Sequence, residues 1–366
     1  MKIRLSMNRR RGGIALVIVM IAIFVLTMLA AGFAYSMKVE TRLAMRANNE
    51  SELQWLGRSG VEWAKWILAQ QLMISSEPYD SRDQVWAGGP GGTGASNSPL
   101  ASLPNEIKLG EGVIKRPRIT DLESKWNINT CGEIILTRAL ANMGVDGSES
   151  TAVVNAILDW IDRDDQPRVE GAESDFYQNL EPPYLAKNGP IDDISELLFI
   201  RGISEEMYLG MAVTNGQGGA YLQRMNQFGG KKQMPLFSAG LADLFTPISS
   251  GKVNINTASA EVLMLIPGMD EQLAQLIVSA RSGSDDGNPM SMTGPFKNLT
   301  PNYLWAKVQG LTLPAARSLQ QFCDVRSRTF EVEVDVEIGG SKRTFHAILG
   351  RNNPRDVQLL SFYWKS

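Results

Sequence analysis

The 366-residue sequence contains a single histidine, His346, and two widely separated cysteines, Cys131 and Cys323. One histidine leaves little material for a Ser-His-Asp triad, a Cys-His pair or a histidine metal site. The cysteines could form a disulfide, Cys131 to Cys323, in an oxidising compartment, or stay as two buried thiols; the sequence leaves both open. Charged residues are 20% of the chain and the net charge is only -3, so no global pull toward nucleic acid is present. The sequence has no Walker loop, no G-x-S-x-G and no metal-binding histidine pair. Nothing in it marks the substrate groove that a carboxylate-pair glycosidase needs. A mean hydropathy of -0.13 fits a soluble body with one apolar segment, not a protein of many spans.

The apolar segment is near the start. Residues 1–13 carry Lys2, Arg4, Arg9, Arg10 and Arg11 and no acid, and Ile14 to Met37 contain no charge at all. At about 1.5 Å per residue those 24 residues reach roughly 36 Å, enough to cross a membrane. The basic run keeps the N-terminus cytoplasmic and sends the rest outward. A secretory signal cut near Ala34–Ser36 and a plain uncut anchor are two readings. A third rests on Gly12-Gly13 before the apolar run and on the amphipathic stretch after Met37. There Val39, Leu43, Leu53, Leu56, Val61, Trp63, Trp66, Ile67 and Leu68 recur at helical spacing among charges. This predicts one helix of about 55 residues, apolar first and amphipathic after.

Residues 75–105 are rich in Ser, Gly, Pro and Asn and read as a loop. Glu106 to Thr120 alternate around Gly110-Glu111-Gly112, which predicts a hairpin. Thr329 to Ile338 alternate strictly, Gly339-Gly340 come next, then Arg343 to Leu349, a second hairpin, with Val357 to Trp364 as a further strand. Asn127 to Phe322 read mainly helical. The expected class is α+β: a long N-terminal helix on a small antiparallel sheet, interrupted by a large all-α insertion. The expected divisions are 1–13, 14–74, 75–126, 127–322 and 323–366.

The insertion repeats itself. Asn127-Ile128-Asn129-Thr130 recurs as Asn254-Ile255-Asn256-Thr257, each expected to open and cap a helix. Each first helix ends at Gly144-Val145-Asp146 or Gly268-Met269-Asp270, with a second helix after it, giving two helix–hairpin–helix units. The second unit resembles those of competence DNA-uptake proteins, where a Gly at the third hairpin position brings backbone N–H groups to phosphate. Asp146 and Asp270 stand there instead and would repel phosphate. No nucleic acid is therefore expected, and an exported DNA-binding protein of a pilus-linked uptake system is the alternative function.

Between the repeats, Asp159, Asp162, Asp164, Asp165, Glu170, Glu173 and Asp175 put seven carboxylates within 17 residues. A hard cation relieves such repulsion, and oxygen ligands favour calcium over zinc. A solvated helix end balanced by Arg163 and Arg168 is the plainer reading.

The start of the chain resembles a prepilin, which implies cutting by prepilin peptidase between Gly13 and Ile14. Most prepilins carry Glu at the fifth mature position, here Ile18, and in type II secretion pseudopilins the K component is the one lacking it. The order continues with Tyr79-Asp80-Ser81, Val85-Trp86-Ala87, Ile119 to Thr130, Leu158 to Asp164, Gly171-Ala172-Glu173 with Tyr177, Ile194 to Gly202, the second NINT unit and the terminal hairpin. It is similar to the general secretion pathway protein K family of minor pseudopilins. A Gly-rich loop at 88–98 and an extended segment at 282–300 depart from the family. The resemblance implies a non-catalytic protein at the tip of the pseudopilus, anchored in the inner membrane with its body in the periplasm. It implies partners in the minor pseudopilins I and J, met through the stripe that includes Val39, Leu43, Leu53 and Leu56. It also implies calcium in the helical domain, held by Asp162, Asp164, Asp165, Glu173 and Asp175.

Overall fold

In the computed structural model, residues 12–92, 94–210, 239–282, 292 and 294–364 are described. Residues 1–11 of the expected leader, 211–238 of the expected helical insertion and most of the segment 283–293 lie outside them.

Helix α1 runs unbroken from Gly12 to Leu72, 61 residues, through a stretch with no proline. Its first part touches nothing: every residue from Ala15 to Ala44 is exposed, including Leu16, Phe24, Leu29 and Phe33. From Leu53 onward one face turns inward, and Leu53, Leu56, Val61, Trp63, Ala64, Ile67 and Leu68 are buried. The helix can lie this close to the sheet because it carries Gly57 and Gly60 on that face. A Cβ on Gly60 would fall 2.2 Å from Val334 Cγ1. The ~1 kcal/mol that glycine costs a helix interior is offset by this approach.

The sheet runs β1 (Glu106–Leu109), β2 (Gly112–Lys115), β8 (Thr329–Ile338), β9 (Ser341–Asn353), β10 (Asp356–Trp364), all antiparallel. Strand β3 (Arg118–Asp121) continues beside β2 along β8. The alternation in β8 is a consequence of its two faces. Phe330, Val332, Val334, Val336 and Ile338 are buried with Phe345, Ala347 and Leu349 of β9 in the core that α1 completes. Glu331, Glu333, Asp335 and Glu337 face away, where Arg118 pairs with Glu333 and Asp335.

A second core lies between the two ends of the sheet sequence, from Trp126 to Cys323. It packs α2 (Gly132–Asn142) on α3 (Gly147–Ile161), and α4 (Glu271–Ala280), α5 (Pro301–Lys307) and α6 (Leu313–Phe322) with short turns between. Each NINT segment sits next to a parallel two-residue pairing that alternation does not indicate. β4 (Trp126–Asn127) pairs with β5 (Phe245–Thr246), and β6 (Val253–Asn254) with β7 (Cys323–Asp324).

The expectation that NINT caps a helix is corrected. Asn127 Oδ1 accepts from the amide of Asn129, and Asn254 Oδ1 from that of Asn256, so each first Asn closes a turn on its own backbone. Helix α2 starts behind Cys131, which makes no side-chain cap, and the turn Ala260–Leu263 is capped by Ser259. The second Asn of each unit clamps a distant chain segment, at Ile191 and at Phe296.

A buried polar junction ties the two cores. Arg351, 2% exposed, donates to Asp80, to the Ser327 carbonyl and to the Leu68 carbonyl at the end of α1, and lies over the Phe330 ring. Asn254 donates to Ser327 Oγ at 2.7 Å and to the Asp80 carbonyl at 3.1 Å. Asp121 accepts from Asn254, Thr257 and Ser327. Burial pushes the Asp121 carboxyl up to about 6 and the Glu123 carboxyl up to about 7.

Candidate functional site

Two surfaces carry chemistry beyond stability. One is the free length of α1. An apolar run of this hydropathy and length can cross a membrane, and none of it is buried by the protein. Beyond it the expected partner stripe divides. Val39 and Leu43 stand in solvent, but Leu53 and Leu56 belong to the core and cannot meet another chain. Leu56 is packed so tightly that a Cβ on Gly112 would lie 2.4 Å from it. In their place Trp55 and Trp66 are exposed at 67% and 40% on the outer face of the same helix, with Met73 exposed at 66% just past its end. A spacing of 11 residues puts the two tryptophans along one side, a pattern the sequence carries but that cannot be separated from the core stripe without the sheet.

The other surface is the acidic segment. Helix α3 ends at Ile161 and the chain loops back through 162–173 to the short helix Ser174–Tyr177. Asp159 is fully buried and fully used: it accepts from Arg168 Nη1 at 2.7 Å and from the Ala172 amide at 2.9 Å. Arg168 also pairs with Asp162. Trp160, Tyr177 and Tyr184 stack edge-on and face-on beneath the loop, ring centroids 5.2–6.4 Å apart.

Of the five expected ligands, the structure gathers Asp162, Asp164 and Glu173, each offering an oxygen within 4.8 Å of the others. Asp165 is engaged elsewhere, its Oδ1 accepting from Ser174 and Asn188, and Asp175 is not in the group. Glu173 is 3% exposed, yet neither of its oxygens meets a donor, and Asp162 Oδ1 is likewise buried without one. Burial, then the charges of Asp159, Asp162, Asp165 and Asp164, raise the Glu173 carboxyl to about 7. Orphaned carboxylate oxygens facing each other are a donor set for a hard divalent cation; the residues fit calcium.

Both cysteines are free thiols. Cys131 packs beside the helical core, and burial lifts its thiol to about 12; Cys323, within that core, is also pushed up. Neither is suited to attack as a thiolate. In the helix–hairpin–helix units, Asp270 Oδ1 accepts from the Leu273 amide and Asp146 stands at the start of α3. The carboxylate at Asp270 thus takes a first-turn N–H that a phosphate would need.

A sequence profile of the first domain of type II secretion system (T2SS) protein K matches residues 119–213, and a helix-hairpin-helix motif profile matches 249–285. Type II secretion system protein K of Pseudomonas aeruginosa is 23% identical over 369 residues, covering 97% of this chain and 93% of that protein. The protein of the same name from Aeromonas hydrophila is 22% identical over 391 residues, 96% of each. The Klebsiella pneumoniae protein K is 26% identical over 216 residues, 55% of this chain, and the match spans 61% of its own length. Among solved structures, a chain of the GspK-GspI-GspJ complex from the enterotoxigenic Escherichia coli type 2 secretion system shares the fold. Its TM-score is 0.59 at 16% identity, with 88% of this chain and 99% of that chain covered. With the long helix laid on an antiparallel sheet and the helical body between the strands, the chain is similar to type II secretion system protein K along nearly its whole length.

Proposed function

We propose that the protein is a minor pseudopilin at the tip of the type II secretion pseudopilus, working by assembly and not by catalysis. The observation that carries this reading is the free length of α1. The exposed stretch from Ala15 to Ala44, apolar and then amphipathic, has no partner within the chain. Such a helix is stable only in a bilayer or against other helices. Ile18 in place of a carboxylate leaves the apolar run without the charge by which most prepilins meet a preceding subunit. The bulky helical body, with its own core, suits a position with nothing above it.

The partners on this reading are the minor pseudopilins I and J, as in the complex whose chain shares the fold. The contact surfaces are Val39 and Leu43 on the free length of α1 and, on another side of the helix, Trp55 and Trp66 with Met73 beyond its end. The anchor is the inner membrane, with the sheet and helical body in the periplasm. Co-expression with prepilin peptidase tests the maturation step: the mass of the product should correspond to a chain beginning at Ile14. An uncut chain, or one cut near Ala34–Ser36, would contradict it.

Calcium is part of the proposal. Asp162, Asp164 and Glu173 would hold it, and it would supply charge compensation at the loop after α3, with no chemistry of its own. Glu173 positions itself for this by being buried, and Arg168 keeps Asp162 from swinging away by pairing with it and with Asp159.

A further inference from the structure

Strand β10 closes one side of the sheet and β1 the other, and the two edges are built differently. β1 has four residues, guarded by the charges of Glu106 and Lys108, which pair at 3.8 Å. β10 has nine, and from Val357 to Trp364 it carries neither a charge nor a proline. Among the described residues its main chain bonds only to β9, so the outer row of N–H and C=O groups is unpaired. Leu359, Leu360, Tyr363 and Trp364 are 42%, 54%, 37% and 44% exposed along it. Sheets blunt their edges with charge, proline or short strands, and a long apolar edge without these is a template for another strand.

The flank of this edge that faces α1 is aromatic and cationic. Arg58 of α1 sits 5.6 Å from the Trp55 ring centroid and 5.9 Å from that of Phe362. It is exposed and makes no ion pair among the described residues. Arg343 lies 4.1 Å from the Trp364 ring centroid and is already paired with Glu50. A guanidinium held over two rings without a carboxylate is complementary to an acidic side chain on an incoming strand. A second copy of this chain does not fit. Antiparallel pairing of β10 with itself turns one copy by half a turn in the plane of the sheet and reverses its α1. The two apolar runs could not then enter one membrane from the same side.

We propose that the free edge of β10 takes an edge strand of the pilin-like subunit beside it at the tip, extending one sheet into the other, with a carboxylate of that strand on Arg58. The proposal rests on assembly with I and J and deepens it: the bodies join through main-chain bonds along β10 as well as through their helices. The main-chain bonds supply affinity, and the acid on Arg58 fixes the register.

Hydrogen exchange of the full chain in detergent, alone and with pseudopilins I and J, tests this. Amides of 357–363 should exchange at least about ten-fold more slowly in the complex, while those of 107–109 stay unchanged. L360K puts a guarding lysine at an exposed residue that has no counterpart in the β9 register. It should return 357–363 to the exchange of the free chain and weaken association at least about ten-fold, with the melting temperature held. R58E should reduce the same protection without altering the strand, and it decides the matter if L360K lowers the melting temperature. A complex in which 357–363 exchange as fast as in the free chain would overturn the proposal and leave the tip assignment standing. Full protection retained in R58E would overturn the role of Arg58. Slow exchange of 357–363 in the isolated chain at twice its mass would overturn the proposal in favour of self-pairing. No complex at all would remove the tip assignment and this proposal together.

Discussion

Asn129 and Asn256 do the same thing in the two halves of the helical body. Each grips one remote residue through both ends of its amide. Asn129 holds Ile191 with bonds of 2.8 and 3.0 Å, and Asn256 holds Phe296 with bonds of 2.7 and 3.0 Å. The repeat in the sequence is therefore a repeated clamp. Replacing either Asn by Ala strands a main-chain N–H and a carbonyl. Since Asn256 is 3% exposed and Asn129 only half-buried, N256A should cost more, about 2–4 kcal/mol against about 1–3 for N129A, in urea denaturation.

Arg351 and Asp80 form a pair whose side chains are each 1% exposed. Removing one partner leaves the other charge buried. R351M should therefore destabilise by about 3–5 kcal/mol, and R351M with D80N should recover part of that loss. Full additivity of the two changes would show that the pair is not coupled.

The junction also sets a pH dependence. Asp121 and Glu123 hold protons in the folded chain up to about 6 and about 7, against 3.8 and 4.5 ordinarily. Between about pH 4 and pH 7 the folded state thus binds more protons than the unfolded one, and stability falls as pH rises through that window. It levels off above. The double change D121N with E123Q should flatten the decline, read as melting temperature against pH.

Glu173→Gln separates the cation's role from that of the fold. The carboxylate is buried among other acids, so E173Q should raise the melting temperature in chelator. The same change should abolish the increase that calcium gives the unmodified chain. A calcium effect that survives E173Q would place the ion elsewhere.

Much of the fold is legible in the sequence because it depends on local pattern. The strict alternation of 329–338 dictates β8, and the paired glycines at 339–340 dictate the hairpin. The long α1 comes from an unbroken run without proline. The capping role expected of NINT fails because Asn can bond its own backbone as readily as a helix start, and spacing does not tell the two apart. The stripe on α1 reads as one surface, yet only the sheet decides that Leu53 is covered and Trp55 is free. Among the acids, charge density locates the loop, but which carboxylates converge depends on how the chain returns from α3.

The outward tryptophans offer the sharpest test of assembly at the tip. The full chain is solubilised with pseudopilins I and J and its mass measured by light scattering after size exclusion, for the unmodified protein and for W55E with W66E. The expected result is a complex containing one copy of each of the three chains, with the doubly substituted chain eluting alone at unchanged melting temperature. A complex that persists with both tryptophans replaced, or no association of the unmodified chain with I and J, would contradict assembly through this face.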